Sequence, residues 1–358
     1  MSIYSVNTTQ AYELVKLALA SNVVPHLISA PGVGKSAIAK QIAENFNLEM
    51  IDYRASGGLP EDQSGLPFRD GEVSRFLPFA HIFPIQGLTE IPKGKNGWLL
   101  FLDEIDAASR DMAAALYRLI YDREVGQYPL HPDVFIMTAG NSQEHNAISN
   151  NHGTAMQSRM SHITIVSDSK NWLDKVAPKI GIDYRVTAFI AAYPNKLNDF
   201  NPNHKDLSFC SERTWEFTSN ICKSIPTSGI PNWVLPLIAG TITSGVAAEF
   251  VQFTQVFDSV PKFKDVIKDP TGTPIPDIPT LKWATVCSLA QNISKELPAI
   301  TDKKEVEEVI QACTYYLEQF PLTYQLVFAR TVLGVLPTIR SNIKWIQFLS
   351  KINKYLND

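Results

Sequence analysis

Short apolar runs alternate with helical stripes along the first half of the chain. Residues 98–102 (WLLFL) form a continuous apolar run, which is typical of a strand buried on both faces of a parallel sheet. Ile38, Ile42 and Phe46 recur at four-residue intervals, which predicts a helix after the first strand. Strands that alternate with helices predict an α/β fold, in which a mostly parallel sheet carries helices on both faces. The predicted strands cover residues 23–28, 48–54, 98–102, 133–138 and 162–166.

The pattern changes after about residue 168, where the strand pattern fades and helical spacing takes over. Residues 303–320 and 343–356 carry apolar stripes at this spacing, which favours buried helix faces over interaction surfaces. A proline-rich segment at 269–280 (DPTGTPIPDIPT) indicates a connector between helical groups. The predicted regions are an α/β domain over residues 1–168, a helical region over 169–268 and a C-terminal helical extension over 281–358.

Two hairpins are predicted to interrupt the α/β pattern. Residues 66–76 place Asp70-Gly71 between strand-like flanks, and residues 123–131 turn at Gly126. Both segments lie between elements of the predicted sheet, so we expect them to be surface insertions of the α/β domain.

The composition predicts a globular, cytoplasmic protein. Hydrophobic residues make up 45% of the 358 residues and charged residues 19%, which is not the composition of a disordered chain. The net charge of −4 gives no general reason to expect binding to nucleic acid or to an anionic membrane. No apolar stretch is long enough to span a bilayer, and residues 1–22 resemble an amphipathic helix rather than a signal peptide. The four cysteines form no C-x-x-C pair and are expected to be buried thiols.

Residues 28–40 (ISAPGVGKSAIAK) contain two overlapping glycine motifs. Residues 32–37 match the G-x-G-x-x-A pattern of a dinucleotide-binding loop, and Asp52 follows about 20 residues later, as that pattern requires. Residues 32–36 (GVGKS) match the end of a P-loop. Ser29 stands where a strict P-loop has its first glycine.

The lysine and serine of this segment favour the P-loop. Lys35 would neutralise the β- and γ-phosphate oxygens of ATP, and Ser36 would offer its hydroxyl to Mg²⁺. Backbone N–H groups at the start of the following helix would hold the phosphates. The predicted nucleotide-binding residues are Pro31, Gly32, Val33, Gly34, Lys35, Ser36 and Ala37.

Residues 99–104 (LLFLDE) supply the second half of such a site. Asp103 would hold Mg²⁺, directly or through water, and Glu104 would orient and deprotonate the attacking water. Alone, an Asp-Glu pair after a strand is more often a helix cap. Together with the P-loop upstream, the pair predicts hydrolysis of a nucleoside triphosphate and disfavours dinucleotide binding.

Three further polar residues are candidates for a catalytic role. Asn141 ends the segment FIMTAGN, where its amide could hold the nucleophilic water, although an Asn in this place is usually a turn residue. Arg159 precedes a predicted strand and would alone be interpreted as a solvated charge at a helix end. Arg213 opens a predicted helix in the segment SERTWE.

In combination, these motifs resemble those of AAA+ ATPases of the MoxR-like group. The similarity rests on the order of APGVGKS, LLFLDE, TAGN, SRMSH and SERTWE, and it extends to IDYRASGGLPEDQSGLPF, the stretch from DREVGQY to TAGN, GVAAEFVQF and DPTGTPIPD. It covers most of the chain, strongly to about residue 216 and more loosely beyond. The sequence departs from the usual pattern at Ser29 and at Glu212, where relatives often have proline before the arginine.

The resemblance implies a fold and a set of roles. It implies a P-loop NTPase αβα sandwich followed by an all-α lid and a helical C-terminal region. Asn141 corresponds to sensor 1, and Arg213 to sensor 2 in the lid. Arg159 corresponds to the arginine finger, which acts in the site of a neighbouring subunit, so the active form would be a homo-oligomer, typically a hexameric ring.

The resemblance also implies a biological role. The cofactors would be ATP and Mg²⁺, and the two hairpins would correspond to the helix-2 insert and the pre-sensor hairpin, which commonly face the ring centre. Proteins of this group are often chaperone-like remodelers that act with von Willebrand factor A-type partners.

Two other functions remain open at this stage. A nucleic-acid-linked motor or restriction-type subunit would be favoured by basic, aromatic hairpins, whereas both hairpins here are close to neutral. A non-hydrolysing module that uses ATP only for assembly would have no need of Glu104. Dehydrogenase chemistry is the weakest of the alternatives.

Overall fold

The computed structural model describes residues 4–141, 158–226 and 229–352. The chain forms two compact units. Unit 1 covers Met1–Val166 with Asn201–Asn203, and unit 2 covers Ser167–Phe200 with His204–Asp358.

Six parallel strands form the central sheet of unit 1 in the order β1–β10–β2–β9–β6–β3. The strands of this unit, including four that form two separate hairpins, are β1 (Ser5–Val6), β2 (Val24–Ser29), β3 (Glu49–Arg54), β4 (Leu66–Asp70), β5 (Val73–Leu77), β6 (Trp98–Asp103), β7 (Glu124–Val125), β8 (Tyr128–Pro129), β9 (Val134–Asn141) and β10 (Met160–Ile165). The helices of unit 1 are α1 (Thr8–Ala20), α2 (Lys35–Asn45), α3 (Pro60–Ser64) and α4 (Arg110–Tyr121). Strand β1 has only two residues, which is too short to leave a hydrophobic pattern, and the sequence did not predict it.

Strand β6 shows why this sheet is buried on both faces. Successive side chains of a strand point to opposite faces, and its apolar residues divide accordingly. Leu99 and Phe101 pack with helices α1 and α2, whereas Leu100 and Leu102 pack with helix α4. The sheet therefore lies between two helical layers, and the predicted α/β fold with a parallel sheet is confirmed.

Two hairpins project from this core. Strands β4 and β5 pair antiparallel around Gly71, and strands β7 and β8 pair antiparallel around Gly126. Both glycines adopt left-handed backbone conformations, which glycine reaches at low cost. The hydroxyl of Tyr128 donates a hydrogen bond of 2.9 Å to the carbonyl oxygen of Phe76, so the two hairpins are joined to each other.

Within the described residues, unit 2 contains helices and their connecting turns but no strand. Its helices are α5 (Ser169–Asn171), α6 (Ala177–Ile180), α7 (Tyr184–Ala192), α8 (Glu212–Lys223), α9 (Leu235–Ala239), α10 (Ser244–Thr254), α11 (Phe263–Lys268), α12 (Pro279–Glu296), α13 (Lys303–Leu317), α14 (Leu322–Val335) and α15 (Ile343–Ile352). A single π-helical turn, Trp172–Val176, lies between α5 and α6. Residues 353–356 of the last predicted helix lie outside the described residues.

Two apolar clusters form the core of unit 2. One surrounds Phe189, Trp215 and Phe250, and the other surrounds Phe328 and Trp345. Helix α12 contributes to both clusters, so the helical segments on either side of the proline-rich connector belong to one compact unit.

The four cysteines all lie in unit 2. They are buried and form no disulfide, as predicted. Burial raises the pKa of each thiol to about 12. They are Cys210, Cys222, Cys287 and Cys313.

Within the described residues, the structure contains no helix that is both long enough and apolar enough to cross a membrane.

Candidate nucleotide site

The loop between strand β2 and helix α2 has the backbone shape that phosphate binding requires. Gly32 and Gly34 have φ angles of 83° and 108°, a region that side chains with a Cβ rarely adopt. Gly34 is the N-cap of α2, which begins at Lys35 and runs for 11 residues. The first N–H groups of such a helix have no partner within the helix, and together with the helix dipole they favour an anion.

One side of the loop is held against the sheet, and the other side is accessible. Val33 is buried in the core on the α1–α2 side of the sheet. Pro31 and Ser36 are half-buried, and Ala37 is exposed on the first turn of the helix. One apolar side chain therefore holds the loop on the sheet while its backbone remains accessible.

Lys35 connects the loop to two strand ends. Its ammonium donates hydrogen bonds of 3.0 Å to Ser29 Oγ and 2.9 Å to Asn141 Oδ1. Ser29 and Asn141 are paired in the sheet, so strand register alone brings both oxygens to the lysine. The structure thus places Asn141 beside the P-loop, where a sensor would lie.

Ser29 has a local explanation as well. Its backbone is outside the left-handed region, so this position does not require glycine. Its hydroxyl donates to the carbonyl oxygen of Ala30 and accepts from Lys35, and its side chain is buried. The serine that replaces the usual first glycine is therefore a hydrogen-bonding partner of the P-loop lysine.

Asp103 and Ser36 bring two oxygen ligands together. Ser36 Oγ donates to Asp103 Oδ2 over 3.4 Å, and Asp103 Oδ1 accepts from the backbone N–H of Glu104 at 2.8 Å. Burial raises the pKa of Asp103 above its ordinary value, although the positive charge of Lys35 opposes the shift. A partly desolvated carboxylate gains stability from a nearby cation. A hydroxyl and a carboxylate are ligands of the kind that Mg²⁺ prefers, so the pair fits this metal.

Glu104 has a strained backbone. Its φ angle is 57°, which is uncommon for a residue other than glycine, asparagine or aspartate and is found preferentially at functional sites. Its side chain makes no capping hydrogen bond to the short helix Ile105–Ala107 that follows, so the helix-cap interpretation does not describe this carboxylate. Instead, the carboxylate accepts a short hydrogen bond from Ser56 Oγ.

Ser56 is a site residue that the sequence did not reveal. It lies in the turn after strand β3, whose last residue Arg54 is aligned with Asp103 in strand β6. This parallel register carries Ser56 to Glu104. A serine after a strand is otherwise an ordinary turn residue, so only the strand pairing could have identified it.

The two candidate arginines have different surroundings, each within its own unit. Arg159 occupies the turn before strand β10, and its guanidinium carbon is 4.1 Å from the ring centroids of both Tyr117 and Tyr121. Arg213 is exposed in the first turn of helix α8 in unit 2. The neighbouring Glu212 is the first residue of this helix, and its carboxylate accepts a hydrogen bond of 3.0 Å from Asn198.

These features define the class of the protein. The site combines a parallel sheet with a glycine loop that leads into a helix. A lysine, a serine and an aspartate lie at the edge of the sheet where the strands end. Together these features form a P-loop nucleotide site. The match to a protein family is more specific, because residues 26–193 match the model of the AAA domain, dynein-related subfamily. Residues 26–193 are therefore similar to an AAA domain, and the candidate nucleotide site lies within this part of the chain.

Solved structures resemble the chain only distantly. NtrX from Brucella abortus, solved in complex with ADP, is 13% identical, with 99% of this chain and 70% of that chain covered and a TM-score of 0.34. A RuvB variant from Thermotoga maritima is 16% identical, with 97% of this chain and 89% of that chain covered and a TM-score of 0.34. Similarity at this level carries no argument about function. No curated protein matches the chain.

Proposed function

We propose that the protein is an ATP-hydrolysing AAA+ ATPase of the MoxR type, which works as a ring and remodels a partner protein in the cytoplasm. The observation that carries the proposal is the convergence at one edge of the sheet. Lys35 meets Asn141 at 2.9 Å and Ser36 meets Asp103 at 3.4 Å, with Glu104 next in the chain. A protein that only binds ATP, without hydrolysing it, would not require the Glu104 carboxylate.

Each residue has a role in this mechanism. The N–H groups at the start of α2 and the ammonium of Lys35 hold the phosphates of ATP. Ser36 and Asp103 hold Mg²⁺, which supplies positive charge to the phosphate oxygens when it is bound. Glu104 takes a proton from the attacking water, and the Asn141 amide orients that water.

Release from Ser56 is part of this proposal. The Glu104 carboxylate accepts a hydrogen bond from the Ser56 hydroxyl in the structure. In the proposed mechanism Glu104 exchanges this hydroxyl for the attacking water, because the lone pair that accepts from Ser56 is not available to take the water's proton.

The ring is proposed from the sequence resemblance. In it, Arg159 stabilises the transition state in the site of the next subunit, and Arg213 reads the γ-phosphate from the lid. A von Willebrand factor A-type protein is the proposed partner. Arginine fingers contribute roughly 10³ to 10⁵ in rate, so hydrolysis should depend steeply on protein concentration.

The first hairpin favours a protein substrate over nucleic acid. Leu66, Val73 and Leu77 are exposed on it, whereas its two arginines, Arg69 and Arg75, are balanced by Asp70 and Glu72, and Arg75 pairs with Asp70 at 2.8 Å. Nucleic acid binding depends mainly on unpaired positive charge that meets the phosphate backbone. An exposed apolar hairpin is better suited to contact with a polypeptide.

Hydrolysis is tested by two substitutions at the site. Lys35→Ala should abolish ATP binding in a fluorescent-nucleotide titration, because the phosphates lose their main counter-charge. Glu104→Gln should bind ATP with wild-type affinity but lose turnover by about 10²-fold or more, because the amide cannot accept a proton.

Three results would contradict the proposal. Undiminished ATP affinity in Lys35→Ala would exclude the P-loop assignment. Normal turnover in Glu104→Gln would place the base elsewhere. A wild-type protein that binds ATP but never hydrolyses it, at any protein concentration and with or without DNA, would favour the assembly module, and stimulation by DNA would favour the nucleic-acid motor.

A further inference from the structure

Two tyrosines of helix α4 hold the side chain of Arg159. We propose that Tyr117 and Tyr121 are positioning residues that present the Arg159 guanidinium to the nucleotide site of a neighbouring subunit. The inference rests on the proposed function, because it assumes that Arg159 acts in trans. It adds the part of the chain that aims the arginine.

The helix places both rings at the arginine. Residues four apart on a helix lie on the same face, so Tyr117 and Tyr121 form one aromatic surface at the C-terminal end of α4. The guanidinium carbon of Arg159 lies 4.1 Å from the centroid of each ring. This distance is well within the range of about 6 Å over which a cation is attracted to an aromatic face.

Stacking restrains an arginine without using its hydrogen-bonding edge. The guanidinium carbon lies over both rings, and a cation–π contact of this kind does not itself consume the five N–H donors. A stacked guanidinium can therefore donate to the oxygens of a transferring phosphoryl group. An arginine side chain loses rotamer entropy when it is fixed, and the contact with the tyrosines reduces that loss in advance.

The exposure of Tyr121 indicates that this ring serves the arginine rather than the core, whereas Tyr117 also packs against the core on the α4 side of the sheet. Tyr121 is 60% exposed, whereas the apolar neighbours of Tyr117 on the same helix, Leu116 and Ile120, are buried in the core on the α4 side of the sheet. A ring that is mostly in water adds little to the packing of unit 1. Its ring lies against the guanidinium of Arg159.

The experiment compares two substitutions of the exposed ring. Tyr121→Leu keeps an apolar side chain but removes the aromatic face, and Tyr121→Phe keeps the face but removes the hydroxyl. We expect Tyr121→Leu to lower kcat for ATP by about 10²-fold with KM unchanged, because a misplaced catalytic group costs about that factor. Tyr121→Phe should restore most of the rate. Tyr315→Leu, which alters an exposed tyrosine of unit 2, is the matched control.

Subunit mixing separates positioning in trans from damage to the protein's own site. Glu104→Gln subunits are inactive but carry a normally held Arg159. When they are mixed with Tyr121→Leu subunits, each Tyr121→Leu site with such a neighbour should recover activity. Sedimentation velocity on each variant and on the mixture establishes that assembly is intact.

The results distinguish a failure of the positioning role of the tyrosines from a failure of the in-trans role of Arg159. Wild-type kcat in Tyr121→Leu, or a lost rate that neither Tyr121→Phe nor mixing restores, would overturn the positioning role. If Arg159→Ala itself hydrolyses ATP normally, the in-trans assignment in the proposed function fails instead. A collapse of hydrolysis in Arg159→Ala together with normal Tyr121→Leu would reject only the role of the tyrosines.

Discussion

At the scale of single residues, Gly140 lies where two parts of the site approach most closely. It precedes Asn141 at the end of strand β9, and the carboxylate of Asp106 packs directly against it. A Cβ added at Gly140 would lie 1.6 Å from Asp106 Oδ2, although the backbone of Gly140 is not in the left-handed region. The lack of room for a Cβ, rather than the backbone conformation, therefore requires glycine at this position. The contact between Gly140 and Asp106 also couples the segment after Glu104 to the strand that carries Asn141.

Gly140→Ala should lower the free energy of unfolding of unit 1 by about 3 kcal/mol or more, because the added methyl group must displace a buried side chain. It should also reduce ATP turnover, since Asn141 would move with the strand. Chemical denaturation followed by circular dichroism measures the first effect. Gly57→Ala is the control, because a Cβ at Gly57 meets no atom within 4 Å. Equal stability of the two variants would show that the Asp106 contact is not tight.

Some residues of the candidate site could be predicted from the sequence alone, and others could not. Spacing along the chain predicted Lys35, Ser36 and Asp103 as site residues, because phosphate and metal binding depend on fixed local motifs. It could not identify Ser56, which strand pairing brings to Glu104, or the Tyr117–Tyr121 pair, which contacts Arg159 in a distant turn. In each case the partner lies 38 or more residues away in the chain. Side chains recruited by tertiary contacts leave no local pattern.

At the scale of elements, the strands were predictable and the special turns were not. Strands β2, β3, β6, β9 and β10 were each predicted from the sequence, most clearly β6 with its continuous apolar run, whereas the π-helical turn Trp172–Val176 has no pattern of its own. That turn carries Asp174, whose carboxylate lies 3.6 Å from Arg330 of helix α14. Burial raises the pKa of Asp174 to about 6, although Arg330 opposes the shift.

This pKa predicts how the stability of unit 2 changes with pH. Because the folded-state pKa of about 6 lies above the ordinary value of 3.8, the folded unit holds the proton more tightly than the unfolded chain. The stabilising contribution of protonated Asp174 is fully present below about pH 4 and is lost as the pH rises through about 6.

Asp174→Asn removes this titration. Relative to the wild type, its free energy of unfolding should rise by about 3 kcal/mol between pH 4 and pH 7. Urea denaturation across this pH range measures the difference, and Asp277→Asn, which alters an exposed aspartate of the same unit, controls for the loss of a carboxylate. A difference between Asp174→Asn and the wild type that stays constant with pH would contradict the assignment.

At the scale of the whole molecule, chain order alone did not indicate how the helical half is organised. The proline-rich connector predicts a break, and the chain does turn there, with the Tyr316 hydroxyl donating to the carbonyl oxygen of Pro274 at 2.8 Å. Helix α12 nevertheless packs into both apolar clusters of unit 2. Prolines report local chain direction, whereas the extent of a compact unit depends on contacts between distant segments.

The distribution of the cysteines has a practical consequence for studies of motion in this protein. All four thiols are buried in unit 2, and their pKa values of about 12 keep them protonated and unreactive at neutral pH. A single cysteine introduced on the surface of unit 1, for example on the β4–β5 hairpin, could therefore be labelled with a maleimide dye without first removing the native cysteines. The native thiols would not react in the folded protein. They would react with a colorimetric reagent only when unit 2 unfolds, so that reaction would report on the opening of this unit.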